Sequence, residues 1–333
     1  MTRLSFCIPT YNRADCIVDT LNSILVQATD SIEIVVCDNA STDNTATVIK
    51  EFQNKFPRLT YFRWDTNVGA DRNFLKVIEL ATGDYCWFMS SDDIVEPNGL
   101  NTVLGALQAY KGLSGVSVNG FTYSRDMKTR TGETILVANK IGADRLFTDP
   151  DSAFSTLGEY FGYLSGQIIN RELWCNVVAN KDPTPYFISY VHLFVIANMV
   201  VANPCWFYSS TKCVGWRGNN DSFLSEGRYK RLEIDVLGFE KIYRDVIGEY
   251  SRGYREVMKT VCSVYVRHMV LAAKFKGAPI SFYIQGLRLS IRMYWMYPVF
   301  WLKTFPLFIF PRFTLILARM AYRLVLKSKK LGI

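Results

Sequence analysis

The chain has 333 residues, 49% hydrophobic and 20% charged, with eight cysteines and a formal net charge of +8. This excludes a disordered tail, a collagen-like repeat and a small disulfide scaffold, and it predicts two domains or one large domain with an appendage. The charge is uneven: residues 257–333 hold 13 Lys or Arg and no Asp or Glu, whereas residues 1–256 carry a net −5.

Residues 4–8 read as a buried strand stopped by Pro9, and Ile17, Leu21, Ile24 and Leu25 fall at helical spacing. Residues 32–37 predict a second strand, 43–56 a helix and 59–63 a third strand. Asn67-Val68-Gly69 marks a turn before a helix over 70–81. A fourth strand is expected at 85–89, a helix from Pro97 to about Tyr110, and a fifth strand at 115–123. Strand–helix alternation of this kind predicts an α/β fold with a parallel sheet, whose ligands bind beyond the carboxyl ends of the strands.

Residues 126–150 are polar and irregular, and 151–250 read as helical with a loop around 213–225. Residues 183–211 contain no Lys, Arg, Asp or Glu, but His192, Asn198, Asn203 and the prolines interrupt them, so a buried core helix is expected rather than a membrane span. The cysteines form no C-x-x-C pair and several lie in apolar runs, which predicts free thiols in a reducing compartment. No signal-peptide pattern opens the sequence. The expected location is cytoplasmic.

Each of the first four strand ends carries polar residues that no core requires: Pro9-Thr10-Tyr11-Asn12-Arg13, Asp38 to Asp43, Asn67 to Asn73, and Ser90-Ser91-Asp92-Asp93. Taken singly, each reads more readily as a turn or helix cap, as Ser41-Thr42-Asp43 and Asp71 illustrate. Together, at successive strand ends, they suit a nucleotide diphosphate with a divalent cation offsetting the carboxylates. Asp38 is placed to accept a hydrogen bond from a base, and Arg72 to approach phosphate or steady Asp92.

The segments SFCIPTYNRADCIVDTLNSI, VVCDNASTDNT, NVGADRNF and GDYCWFMSSDD, followed by Pro97, resemble family 2 glycosyltransferases of the GT-A fold over about residues 3–125. DRNFL, GYLSGQIINRELW, ISYVHLF and WRGNNDSF resemble a narrower group, the abequosyltransferase-like enzymes of O-antigen synthesis, to about residue 230. The resemblance implies a nucleotide-diphospho-sugar transferase fold, a mostly parallel sheet flanked by helices, with a helical, basic C-terminal extension. It implies that Pro9, Thr10, Tyr11 and Arg13 form the first nucleotide loop, that Asp38 meets the base and that Asp43 lies near the nucleotide. Arg72, Ser91 and Arg217 join the nucleotide-sugar contacts. Asp92 and Asp93 are the implied ligands of Mg²⁺ or Mn²⁺, because Ser90 replaces the first acid of the family's D-x-D motif. A Glu-Asp pair carrying the acceptor base is missing, which leaves His192 and Asp182 as candidates. Arg217 lies in a polar loop that could close over the donor.

Downstream, Arg312, Arg319, Arg323, Lys327 and Lys330 share one face of a helical wheel opposite apolar residues, and aromatic residues cluster at 294–301. This predicts a helix lying in the membrane interface, attracted by anionic lipid. No motif for nucleic acid accompanies the bases, so none is expected as a partner.

The expected organisation is a nucleotide-sugar-binding half at 1–125, an acceptor-binding half at 126–250 and a membrane-associating tail at 251–333. The expected activity moves a sugar, a deoxy- or dideoxyhexose in the narrower resemblance, from a nucleotide-sugar to a lipid-linked oligosaccharide. It would act as a peripheral protein on the inner face of the plasma membrane. The rival readings are a nucleotidyltransferase and a non-catalytic assembly subunit that keeps the fold.

Overall fold

Seven consecutive buried residues, Leu4–Thr10, make β1 the centre of a parallel block in a computed structural model that describes residues 3–132, 141–221, 223, 224, 227–314 and 316. Its neighbours are β2 (Ile32–Asp38) and β4 (Tyr85–Phe88), and β3 (Leu59–Arg63) pairs with β2, all in parallel. Helices α1 (Ile17–Leu25), α2 (Thr45–Lys55) and α3 (Ala70–Leu80) connect these strands. α1 buries Ile17, Leu21 and Ile24 on one face, the spacing that the sequence predicted.

After β5 (Ile94–Val95) and α4 (Gly99–Ala109), the chain enters β6 (Gly115–Tyr123). The two short strands β7 (Arg130–Gly132) and β8 (Arg145–Phe147) follow. Next come α5 (Pro150–Leu157), β9 (Gln167–Asn170), α6 (Arg171–Asn180) and α7 (Val191–Ala202), and then β10 (Trp206–Arg217). The sheet runs β3-β2-β1-β4-β9-β6-β10-β5, with β7 on β6 and β8 on β10. β9 is antiparallel to both β4 and β6, while β10 runs parallel to β6. The expected helical character of 151–250 is therefore corrected: two strands, one of 12 residues, lie within it. They join both expected halves into one sheet.

The uncharged stretch does form a core helix. Ten of the 12 residues of α7 are buried, including His192 and Asn198. A helix apolar on every side has no solvent face to offer.

Two compact units make up the chain: Met1–Asp221 with Lys241–Glu256, and Ser222–Glu240 with Val257–Ile333. Helices α8 (Arg228–Ile247) and α9 (Arg252–Thr260) each carry the chain from one unit to the other. The second unit continues through a π-helical turn at Val261–Val266, α10 (Arg267–Lys276) and α11 (Ile280–Tyr294). It then runs through a second π turn at Phe300–Thr304 into α12 (Phe305–Ile309). Val261, Val270, Phe282, Leu289, Tyr294, Phe300 and Phe308 are buried. Thr304 Oγ1 donates to the Cys262 carbonyl at 3.0 Å, tying the two π turns together. Arg319, Arg323, Lys327 and Lys330 of the expected interfacial helix lie outside the described residues. Among the described residues, no helix is long and apolar enough to cross a membrane.

Gly115 shows how tightly the sheet is filled. It stands opposite Trp206 in the β6–β10 register, and a Cβ there would run into the indole ring. Trp206 is fully buried and donates Nε1–H to Ser117 Oγ at 2.9 Å, so the ring has nowhere to move. Gly115→Ala should therefore destabilise the protein by about 1–3 kcal/mol, as overpacked cores do. An unshifted urea midpoint would show that the ring can give way.

Candidate active site

The loops at the carboxyl ends of β1–β4 are latched to one another by short polar bonds. Asn12, at φ 52°, donates its N–H to Ser41 Oγ at 2.8 Å, and its Oδ1 accepts the Thr42 N–H at 2.7 Å. Asn is among the few side chains that tolerate this left-handed backbone. Asn39 Oδ1 accepts the Val68 N–H at 2.8 Å, and Asn39 Nδ2 donates to Asn67 Oδ1 at 2.9 Å. Three strand ends are thus fixed relative to one another before any ligand binds.

The carboxylates divide into engaged and available groups. Asp38 is fully buried: its Oδ1 accepts from the Ser41 N–H and hydroxyl, and its Oδ2 accepts the Tyr61 hydroxyl at 2.7 Å. Both oxygens are thus engaged, one by the Ser41 turn and one by β3, and the contact expected with a base would have to share the Oδ2 side. Asp43 is exposed. Burial works slightly against its charge, but hydrogen bonds from Thr45 and the Ala14 N–H outweigh it and hold the carboxyl below the ordinary range. Pro9 lies within β1, Thr10 is buried, and Tyr11 is 43% exposed at the mouth of the first loop. Exposed Arg72 lies over the Phe187 ring, its guanidinium carbon 5.5 Å from the centroid.

At the end of β4, Ser91 is buried and Asp93 has 1% exposure. Asp93 Oδ2 accepts the Ser165 and Tyr163 hydroxyls at 2.6 and 2.8 Å, and Oδ1 accepts the Arg217 N–H at 3.0 Å. Burial, reinforced by the adjacent Asp92 charge, pushes the Asp93 carboxyl up to about 7. Asp93 is held as an internal anchor, with both oxygens engaged where a metal ligand was expected. Asp92 accepts from Asn220 Nδ2 at 2.6 Å through Oδ2. Burial raises its pKa, while the Asn220 bond and the positive charges of Arg13 and Arg217 favour the ionised form.

Arg217 closes β10, two residues into what the sequence suggested was a loop. It is 5% exposed, and its guanidinium donates to the Asp92 carbonyl at 2.8 Å, the Arg125 carbonyl at 2.7 Å and Asp19 Oδ2 at 2.7 Å. Three of its five N–H donors are engaged by the protein, so it acts as a tether whether or not it also meets a diphosphate. Arg13 remains as the cation beside Asp92.

His192, expected as a candidate base, sits in the core. It is 2% exposed among Phe74, Phe88 and Tyr190. Nε2 lies 3.1 Å from the Gly162 carbonyl, and Nδ1 is buried without a hydrogen-bond partner among the described residues. Burial lowers its pKa to about 4. A ring enclosed in this way packs against the core aromatics. Asp182 is exposed in a turn and accepts from Thr184.

A hard cation can be tested against these donors. Among the described residues, no three His, Cys, Asp or Glu side chains gather as a ready-made metal site. Mg²⁺, however, needs only one or two carboxylates when phosphate oxygens and water supply the rest. Asp92 fits that role, with Oδ1 outside the Asn220 bond. Asp93 does not.

A family model described as glycosyl transferase family 2 matches residues 5–165. Abequosyltransferase RfbV of Salmonella typhimurium is 33% identical over 254 residues, covering 73% of this chain and 74% of that protein. The chain belongs to the family 2 glycosyltransferases. Among solved structures, S. aureus TarS 1–349 has a TM-score of 0.58 at 14% identity, covering 86% of this chain and 80% of that one. Mannosyltransferase PcManGT from Pyrobaculum calidifontis, in complex with GDP-Man and Mn²⁺, has a TM-score of 0.58 at 16% identity, covering 92% and 85%. These likenesses identify the GT-A fold.

Several residues of this transferase gain roles that sequence reasoning did not give them. Asp71 is buried and accepts the N–H groups of Ser189 and Val191 at 2.7 and 2.9 Å, so it caps α7 rather than its own helix. Asn220, Tyr163 and Ser165 hold the two adjacent aspartates. Their hydroxyl and amide chemistry was visible in GYLSGQ and WRGNND, but their partners lie 70–128 residues away in sequence.

Two predictions test these placements. Between the ordinary imidazole pKa near 6.5 and about 4, the unfolded chain binds a proton at His192 that the folded chain does not. Stability is therefore lost as pH falls through that window, by at most about 1.4 kcal/mol per pH unit from this group. Urea unfolding of His192→Gln should show a correspondingly flatter pH dependence between 4.5 and 7. An identical slope would mean that the ring is hydrated and free to titrate. Arg217→Ala should lower the stability of the ligand-free protein by about 2 kcal/mol or more, because charged hydrogen bonds to the backbone are lost. A variant of normal stability that fails only to bind donor would restore the diphosphate role.

Proposed function

We propose that this glycosyltransferase moves a sugar, a deoxy- or dideoxyhexose, from a nucleotide-sugar to a lipid-linked oligosaccharide in O-antigen or related polysaccharide synthesis. The pathway and the sugar class rest on the likeness to abequosyltransferase RfbV. Binding of a nucleotide-sugar is consistent with TarS, whose structure is known in complex with UDP-GlcNAc. The observation that carries the reading is Asp92: a partly buried carboxylate at the end of β4, under the influence of Arg13 and with one oxygen outside its internal bonds.

In this reading Tyr11, Arg13 and Arg72 contact the donor, while Asp38, Asp43 and Asp93 hold the loops that present them. Residues 1–125 serve the donor, 126–250 the acceptor, and 251–333 the membrane surface. Asp92 would hold Mg²⁺ or Mn²⁺, which when bound offsets negative charge on the departing diphosphate. Arg13 adds a fixed positive charge at the same place. Because the latched loops need little reorganisation, their dipoles act on the donor at full strength. The enzyme works as a peripheral protein on the inner face of the plasma membrane.

Asp92→Asn should abolish transfer and metal-dependent nucleotide binding, leaving the circular dichroism spectrum unchanged. A thermal-shift screen of CDP-, GDP-, UDP- and dTDP-sugars with Mn²⁺ identifies the donor. Undiminished turnover in excess EDTA, or a near-normal Asp92→Asn rate, would overturn the metal assignment.

A further inference from the structure

The second unit carries a groove of about 480 Å³ that the transferase chemistry does not use. It is lined by Arg267, Leu302, Lys303, Pro306, Leu307 and Phe310. Two cations thus face one concavity whose other walls are apolar. Arg267 opens α10, and Lys303 lies in the π turn before α12. Among the described residues neither makes an ion pair, and residues 257–333 contain no acid to supply one. Glu233 and Asp235 of the same unit pair with Lys230 and Arg231 instead.

Two unpaired cations beside one cavity repel each other unless an anion lies between them. The walls narrow the class of anion. Leu302 is 77% exposed and Phe310 51%, and the neighbouring Trp301 and Ile309 are exposed too. A soluble sugar phosphate leaves that apolar rim in water. A phosphate ester carrying hydrocarbon chains covers it, and an indole with an apolar body and one N–H suits the depth where headgroup meets chain. Trp301 spends that N–H on the Trp295 carbonyl at 2.9 Å, so its ring is held in place at the surface.

The geometry points to a stoichiometric site for the headgroup phosphate of an anionic bilayer phospholipid, held by Arg267 and Lys303 with its chains along Leu302 and Phe310. The proposal rests on the membrane reading above and deepens it: the lipid is bound at one place, not merely attracted by a diffuse basic surface.

Vesicle co-sedimentation of the full chain separates the two. The wild type is compared with Arg267→Ala/Lys303→Ala and with Arg288→Ala/Arg292→Ala, which removes the same charge from exposed positions of α11 in the same unit. On vesicles of phosphatidylcholine with phosphatidylglycerol, the groove pair should lose about tenfold or more in partitioning, and the α11 pair less than about threefold. Equal losses would overturn the site while leaving surface attraction intact. Wild-type protein that ignores these vesicles would overturn the membrane reading as well. Capture only by neutral vesicles doped with a polyprenyl phosphate would move the site to the carrier lipid and overturn the assignment to bilayer phospholipid. Circular dichroism and donor binding by each variant confirm that the fold is retained.

Discussion

Two adjacent carboxylates at a strand end cannot both stay charged and dry, and the centre of this enzyme is arranged around that constraint. Asp93 is enclosed and served by two hydroxyls and one backbone N–H. Its raised pKa follows first from burial and then from the Asp92 charge beside it. Asp92 is left with a lighter set of donors and the nearby charges of Arg13 and Arg217. One aspartate is bound into the protein so that the other can face the crevice. The elements that achieve this are far apart in sequence: Tyr163 and Ser165 precede β9 or stand at its edge, while Arg217 and Asn220 follow β10.

That wiring explains which parts of the fold were legible in the sequence. β1, α1, β2 and β6 follow from local runs of apolar residues, whose burial depends only on period. β9 is four residues long and β10 carries Ser209, Ser210, Thr211 and Lys212 in its middle, so neither offers a clear period. The β6–β10 register shifts at Ser209–Lys212 and again before Val214, which is how the strand accommodates a polar interruption. Only pairing with β6, about 90 residues earlier, makes that segment a strand.

The site shows the same division. The family motifs placed the loops correctly, yet a motif names residue types and not the direction in which each side chain is spent. Asp38, Arg217 and His192 all have chemistry suited to a ligand or an acceptor, and all three are buried. Their exposures of 0%, 5% and 2% are set by tertiary packing that no local pattern reports. Asp71 is the converse case. Its place at the start of α3 suggests an ordinary cap, but its carboxylate serves the N–H groups at the start of α7, where the charge also opposes the helix dipole.

The uneven charge of the chain acquires a physical meaning from these details. In the first 256 residues acids outnumber bases, and the described carboxylates at the strand ends are largely neutralised by hydrogen bonds. Internal bonds of that kind are hardly affected by salt, so the crevice keeps its shape whatever the ionic strength. In residues 257–333 the reverse holds: the segment has bases and no acid of its own, and the described bases include exposed Arg267, Arg288, Arg292, Lys303 and Arg312. Their mutual repulsion costs stability unless something anionic from outside relieves it. Exposed Trp295, Met296 and Leu302 in the same segment are also unfavourable in water alone. In the proposed membrane role, a single surface, anionic outside and hydrocarbon beneath, would relieve both kinds of unfavourable contact at once.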